Sequence, residues 1–132
     1  MREDWFADIE PRTFTIFKKR MKETYPDVFY TTANEKVSES EFPCVLYREI
    51  GQVETGNDLD NATVNAVIST IQVQTYAKTA KECKEITTEA VIQMKKLRYN
   101  ITAMPIYQSE RGGDIHFSVI RATRVYGSGD TL

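Results

Sequence analysis

The stretch that decides the fold runs from Val64 to Arg98 and reads VNAVISTIQVQTYAKTAKECKEITTEAVIQMKKLR. Its first part, from about Val64 to Ala77, alternates apolar and polar residues, which is typical of a strand with one buried face. The apolar side carries Val67, Ile71, Val73 and Ala77, and the polar side carries Thr70, Gln72, Gln74 and Tyr76. The predicted strand is long for a small domain, where about five or six residues are usual.

The second part of the stretch predicts a helix from Ala80 to Arg98. Thr79 and Glu82 have the spacing of a capping box, in which each side chain binds a backbone amide that the first turn leaves unpaired. An apolar stripe at every third or fourth position comprises Cys83, Ile86, Ala90, Met94 and Leu97. We expect Asn100 to adopt the left-handed conformation that ends the helix.

Outward from this stretch, the sequence predicts one more helix and four more strands. The helix spans about Ile9 to Thr24, with Asp8 as its N-cap and Pro11 inside its first turn. The strands are predicted at about Val28–Thr32, Phe42–Ile50, Ile101–Ser109 and Ile115–Tyr126. The order α-β-β-β-α-β-β predicts an α+β fold, with two helices on one face of a mixed or antiparallel sheet of four to five strands.

Two of these strands have a predicted buried face. In the second strand it consists of Phe42, Cys44, Leu46 and Ile50. In the last strand Ile115, Phe117 and Val119 alternate, but Ile120 then shifts the apolar phase, and a β-bulge there is the simplest explanation. His116 lies between apolar positions and is therefore expected at the surface.

The length of 132 residues predicts a single domain over residues 1–126, followed by a flexible tail over 127–132. The first twenty residues mix charges with aromatics, and every apolar run is too short to cross a membrane. We therefore expect a soluble chain that is not exported. Its two cysteines, Cys44 and Cys83, are too few for a disulfide scaffold and are expected in the core.

Few residues offer catalytic or metal-binding chemistry. His116 is the only histidine, and neither cysteine begins a predicted helix, where its pKa would fall. The acidic residues around Asp58 lack the glycine and glutamate of a calcium loop, and Arg111–Asp114 is better explained as a turn than as a phosphate loop. We therefore expect no enzymatic activity, no metal and no cofactor.

The net charge of −2 is unevenly distributed along the chain. The stretch from Asp27 to Ala66 carries −6 and the remainder +4. Part of the acidic stretch is a predicted connection from Gly51 to about Thr63, whose length is typical of a functional loop. Its acidic residues are Glu54, Asp58 and Asp60.

The long strand at Val64–Ala77 also predicts self-association. A strand that is longer than the sheet around it leaves backbone groups unpaired, and such an edge readily pairs with another chain. Symmetric self-association is a common way to cover it. We therefore predict a subunit interface along this strand, at Thr70, Gln72, Gln74 and Tyr76.

The order of elements resembles that of the tail terminator (tail completion) proteins of long-tailed bacteriophages. The resemblance runs through FPCVLY at 42–47, the polar connection, IQVQTYA at 71–77, MKKLRY at 94–99 and RATRVY at 121–126. It implies a structural virion protein without enzymatic activity, made in the host cytoplasm. Such proteins form a ring, usually hexameric, at the head–tail junction, where they stop polymerisation of the tail-tube protein and meet the head connector protein. DNA passes through the lumen without sequence-specific binding.

In such a ring, Glu54, Asp58 and Asp60 facing the bore would repel DNA phosphates. Three alternatives stay open. The first is another ring of the neck, such as a head-closure or head–tail joining protein. The second is a small enzyme or ligand-binding domain whose pocket gathers Cys44, Tyr47, Arg48 and His116. The third is a DNA-binding domain that uses the basic run Lys18–Lys22 of the first helix.

Overall fold

The computed structural model describes residues 5–32, 43–55, 66–110 and 115–127. A short 3-10 helix at Trp5–Asp8 leads into α1 (Ile9–Thr24), which is followed by β1 (Phe29–Thr31), β2 (Cys44–Thr55) and β3 (Ala66–Ala77). The chain continues with α2 (Ala80–Lys96), β4 (Asn100–Glu110) and β5 (Ile115–Gly127). This order agrees with the predicted order of helices and strands, and the α+β fold is confirmed.

The five strands form one mixed sheet in the order β1-β2-β3-β5-β4. β1 runs parallel to β2, and the other neighbouring pairs are antiparallel. β3 is the central strand, since β2 pairs with it from Ala66 to Tyr76 and β5 pairs with it from Ala66 to Ala77. The expectation that β3 is longer than the sheet around it and leaves an unpaired edge is therefore wrong. Strands of similar length pair with both of its edges.

Both helices pack on the same face of the sheet and contact each other. α1 lies over β2, while α2 lies over β3, β5 and β4. Phe17 and Met21 of α1 share one buried cluster with Ile86 and Met94 of α2. The apolar stripe predicted for α2 is confirmed, since each of its five residues is buried.

Three tyrosines are among the largest fully buried side chains: Tyr47, Tyr99 and Tyr126. The Tyr47 hydroxyl donates to Thr13 Oγ1 at 2.8 Å, and the Tyr126 hydroxyl donates to that of Tyr99 at 2.8 Å. These bonds join α1 to β2 and the residue before β4 to β5, in a core where an unpaired hydroxyl would be costly. Burial is the main reason that the pKa of each tyrosine is raised above its ordinary value.

The strand pairing corrects two further predictions. β2 continues through Thr55, so residues 51–55 belong to a strand and not to a connection. The pairing of β3 with β5 is unbroken, so the bulge predicted near Ile120 is wrong. Register shifts occur instead in β2, between Glu49 and Gly51, and at two places in β4.

The buried face predicted for β5 is wrong, whereas Cys44 and Leu46 of β2 share a buried face as predicted, although it is not the face under the helices. Val45 and Tyr47 of β2 belong to the core under the helices. Cys44 and Leu46 are buried too, but they alternate with these residues and lie on the other face, while Phe42 lies outside the described residues. In β5 the helix side carries Ser118, Ile120, Ala122 and Tyr126, so Phe117 and Val119 lie on the opposite face.

The helix ends agree in part with their predictions. The Thr79 half of the capping box of α2 is confirmed, since the Glu82 amide donates to Thr79 Oγ1 at 3.1 Å. The left-handed residue after α2 is Arg98, with φ 68°, and not Asn100, which begins β4. At the other end of the fold, Gly127 is the last residue of β5, and the rest of the predicted tail lies outside the described residues.

Replacement of Thr79 by alanine should lower the free energy of unfolding by about 1 kcal/mol, because the Glu82 amide loses its acceptor. Chemical denaturation followed by circular dichroism measures the change. Thr88→Ala is the matched control, since Thr88 is an exposed threonine of the same helix whose hydroxyl binds the Lys84 carbonyl. The control should change the stability by less than about 0.5 kcal/mol, and equal losses in both variants would contradict the role of the cap.

The buried tyrosines predict a loss of stability at alkaline pH. Their pKa values are raised in the folded chain, whereas in the unfolded chain they ionise near 10.0. The unfolded state therefore releases protons that the folded state keeps, so the stability is fully present below about pH 9 and falls as the pH rises further. Unfolding measured across this range should show the fall, and Tyr126→Phe should reduce its slope. Tyrosinate absorbance that rises fully while the chain stays folded would contradict this account.

Candidate functional site

The helix-free face of the sheet is the candidate functional surface, because it holds the four predicted interface residues. Thr70, Gln72, Gln74 and Tyr76 alternate with buried residues of β3, and each is itself half-buried. Their predicted orientation away from the core is confirmed. Their role in a subunit interface stays a prediction, and it can no longer depend on backbone pairing along β3.

Cross-strand register arranges the side chains of this face in rows, because residues directly opposite one another in a sheet share a face. One row, near the ends of β2 and β5 and the start of β3, consists of Val53, Ile68 and Val125, which we call the tip row. Val53 is 65% exposed and Val125 57%. Exposed apolar side chains that cluster in this way are typical of a contact surface.

Polar side chains occupy the middle of the helix-free face. Arg48, Gln72 and Arg121 lie opposite one another across β2, β3 and β5. The Arg121 Nε donates to Gln72 Oε1 at 3.0 Å, so the two strands are also joined through their side chains. Farther along the face, the rings of Tyr76 and Phe117 stack with their centroids 5.9 Å apart.

A second exposed apolar group lies on β4, at one edge of the described sheet. It consists of Met104, Ile106 and Tyr107, which are 64%, 62% and 42% exposed, and we call it the edge patch. Pro105 lies within the patch, and both register shifts of β4 precede Ile106. A proline without an N–H and an irregular backbone make an edge strand a poor partner for strand pairing. A contact at this edge would therefore be made by side chains.

A cavity of about 220 Å³ between the start of α2 and the strands β4 and β5 brings Cys83 and His116 to one place. His116 pairs with Ala77 on the helix side of the sheet and is half-buried, so its predicted surface position is wrong. Cys83 is 1% exposed, and its Sγ lies 3.9 Å from the Thr75 carbonyl oxygen. Burial is the main cause that raises the pKa of Cys83. Since the thiolate is the nucleophilic form, this environment disfavours catalysis by Cys83.

The pocket suggested by the sequence for a ligand-binding domain is not present. Tyr47 and His116 lie on the helix side of the sheet, whereas Cys44 and Arg48 lie on the helix-free face. The four side chains therefore do not converge. A second cavity, of about 370 Å³, lies between the end of α1 and the start of α2, and its walls include Tyr25, Pro43 and Glu85.

The charged residues singled out in the sequence lie apart from these cavities. Glu54 is exposed near the end of β2. Asp58 and Asp60 lie outside the described residues, so the placement of these acids in a lumen stays a prediction. In the basic run of α1, Lys18 Nζ lies 5.9 Å from the centroid of the Phe14 ring, while Lys19 is exposed.

Sequence reasoning missed the tip row and the edge patch. Val53 fell in a predicted connection, and an alternating apolar residue such as Val125 cannot be assigned to a face until the strand pairing is known. The sequence did contain one indication of these surfaces. Apolar residues at both odd and even positions of one strand indicate that both faces of the sheet are covered. Val119 and Ile120 are such a pair, and both faces of β5, not a bulge, account for them.

Comparison with known families and proteins leaves the function to be inferred from these surfaces. No family model and no curated protein matches the chain. Within the described ranges, no three histidine, cysteine or acidic side chains are placed to hold a metal ion. Neither α1 nor α2, the two α-helices in those ranges, is long and apolar enough to cross a membrane.

The burial of both cysteines predicts slow reaction with a thiol reagent. In the folded protein at mildly alkaline pH, Cys44 and Cys83 should react only as fast as the chain opens, because both are buried and the pKa of Cys83 is raised. Unfolding in denaturant should expose both thiols to fast reaction. Rapid reaction of folded Cys83 that is slowed by His116→Ala would contradict this prediction and favour a catalytic Cys–His pair.

Proposed function

We propose that this chain is a structural virion protein of a long-tailed bacteriophage, located at the head–tail junction. It forms a ring, with six copies as the expected number, on the head-proximal end of the tail tube. The ring ends polymerisation of the tail-tube protein and provides the surface that joins the head connector protein. The proposal is supported by the resemblance carried by the sequence and by an element order that agrees with the one on which that resemblance was based.

The observation that carries the proposal is the combination of the tip row and the edge patch on one small chain. Side chains such as Val53 and Ile106, which are 65% and 62% exposed, gain stability when another protein covers them. A site for a small molecule would instead be a concave pocket with a few converging polar groups. The exposed surfaces of this sheet are therefore better suited to contacts with other proteins.

Termination of the tube follows from the kind of contact that builds it. Tube subunits meet through two different surfaces, and such contacts continue until something prevents the next addition. A ring that matches one end of the tube but presents a different surface on its other side adds once and cannot be extended. Its outer side is then available to the head connector.

An acidic bore is the second part of the proposal. A ring would place one Glu54 from each copy around a common axis, together with Asp58 and Asp60, if these residues face inward. Like charges repel, and at the short distances of a narrow channel this repulsion keeps DNA phosphates from binding to the wall. DNA would pass through without a stable contact.

Electron microscopy of phage particles tests the function. Disruption of the gene for this chain should give overlong tails, and supply of the intact chain from a plasmid should restore the normal length. Tails of normal length with heads that lose DNA would overturn tail termination and point to head closure. Particles that look and infect normally would contradict both virion roles.

Glu54→Lys should make the ring retain DNA, because it reverses one charge per subunit at the bore. Binding of DNA to assembled rings at low salt should increase and then disappear as the salt concentration rises. Glu23→Lys is the matched control, since Glu23 is an exposed acid on α1 and its replacement changes the net charge equally. Equal retention by both variants would exclude Glu54 from the bore.

A further inference from the structure

We propose that the cavity between the start of α2 and the strands β4 and β5 binds a phosphate group, either as free phosphate or as the end of a small phosphomonoester. Lys84, Ser109 and His116 are the side chains that hold this group. The cavity has a volume of about 220 Å³ and lies on the helix side of the sheet. The inference does not depend on the proposed ring.

Strand register brings Ser109 and His116 together at one wall of the cavity. Ser109 of β4 lies directly opposite His116 of β5, and His116 is itself opposite Ala77 on β3. Residues directly opposite one another share a face of the sheet, with Cβ atoms about 5 Å apart. Because Ala77 belongs to the helix side, the Ser109 hydroxyl and the His116 ring both lie on the side of the sheet that α2 covers.

Lys84 of α2 brings a positive charge to the same cavity. Its Nζ lies 5.7 Å from the centroid of the Tyr107 ring, a distance at which an ammonium group is attracted to an aromatic face. Tyr107 lies opposite Ser118 on β5, so its side chain is on the helix side, two residues before Ser109. The contact with Tyr107 therefore holds the Lys84 ammonium group near the strand that carries Ser109.

The chemistry of these side chains selects an anion with several acceptor oxygens. The described residues that line the cavity include Lys84 and His116 but no acidic residue. An ammonium group, a hydroxyl and an imidazole can each donate a hydrogen bond, and here they come from α2, β4 and β5. Donors on three elements suit a tetrahedral phosphate, whereas a planar carboxylate is best bound by the fork of an arginine. A metal cation is disfavoured because the Lys84 ammonium group would repel it.

The size of the cavity limits the ligand to a small group. Its volume of about 220 Å³ is less than the roughly 300 Å³ at which sites for drug-sized molecules begin. Cys83 is 1% exposed and forms the inner wall, whereas Lys84 and Ser109 are exposed. A phosphate group therefore enters from the solvent side, and the rest of a phosphomonoester stays outside the cavity.

Titration of the full chain with inorganic phosphate, followed by NMR at constant pH, tests the site. His116 is the only histidine, so its ring signals are identified without ambiguity. Phosphate should shift these signals until they saturate, whereas chloride at equal ionic strength should leave them unchanged. Glycerol phosphate distinguishes the two sources of the group. Saturation by both compounds shows that the site accepts a phosphomonoester, and saturation by inorganic phosphate alone shows that it is specific for the free anion.

Lys84→Ala should weaken phosphate binding about tenfold or more, because it removes a charge-assisted hydrogen bond. Ser109→Ala should weaken it a few-fold, since it removes a hydrogen bond from an uncharged donor. Lys95→Ala is the matched control, because Lys95 is an exposed lysine of the same helix outside the cavity. The control should bind phosphate as the native chain does. Absence of a saturable shift, or equal binding by the native chain and Lys84→Ala, would overturn the inference, as would equal weakening by Lys84→Ala and Lys95→Ala.

Discussion

The pairing of β3 along both of its edges is the constraint on which the rest of this structure depends. Side chains alternate between the two faces of a strand, so the register of β3 with β2 and β5 decides what each face contains. In the observed register Ile71 and Val73 lie under the helices, while Gln72 and Gln74 lie on the other side. A slip by one residue would reverse both sets and place amides in the core.

The two faces of the sheet consequently differ in what holds their side chains in place. On the helix side, several polar side chains are paired between elements, as where Thr87 Oγ1 and Ser118 Oγ lie 2.6 Å apart between α2 and β5. At the other end of that face, Glu10 of α1 accepts the Glu49 amide at 2.7 Å, next to the register shift of β2. These bonds fix the helices to the sheet. On the helix-free face, the arginines, amides and exposed apolar side chains of the described strands are arranged by the strand register.

Local signals in the sequence predicted the elements well. The predicted bounds of α1 agree with the structure, because the end of a helix depends on nearby residues such as Pro26. The alternation of apolar and polar residues in β3 and the helix cap at Thr79 likewise depend only on residues close in sequence. The face of β2 and β5 that lies under the helices could not be predicted, because both faces of these strands carry apolar residues and only the pairing partners tell them apart. The residue with the left-handed conformation is Arg98 and not the predicted Asn100, because Asn100 already pairs with β5 as the first residue of β4.

The same reasoning explains what could be foreseen of the candidate site. Thr70, Gln72, Gln74 and Tyr76 were identified from one strand, and their orientation required no knowledge of its neighbours. The tip row draws its residues from three strands, so it exists only once the register is known.

If copies of this chain form the proposed ring, the irregular edge of β4 has a consequence for the order in which that ring assembles. Copies held together by a few apolar side chains, without a shared backbone ladder, dissociate readily when they are dilute. A template that holds several copies side by side raises their local concentration and makes the same weak contacts sufficient. In the proposed ring, a proline and two register shifts in one strand would thus couple ring closure to the presence of a finished tube, and so prevent stray rings from occupying the connector too early.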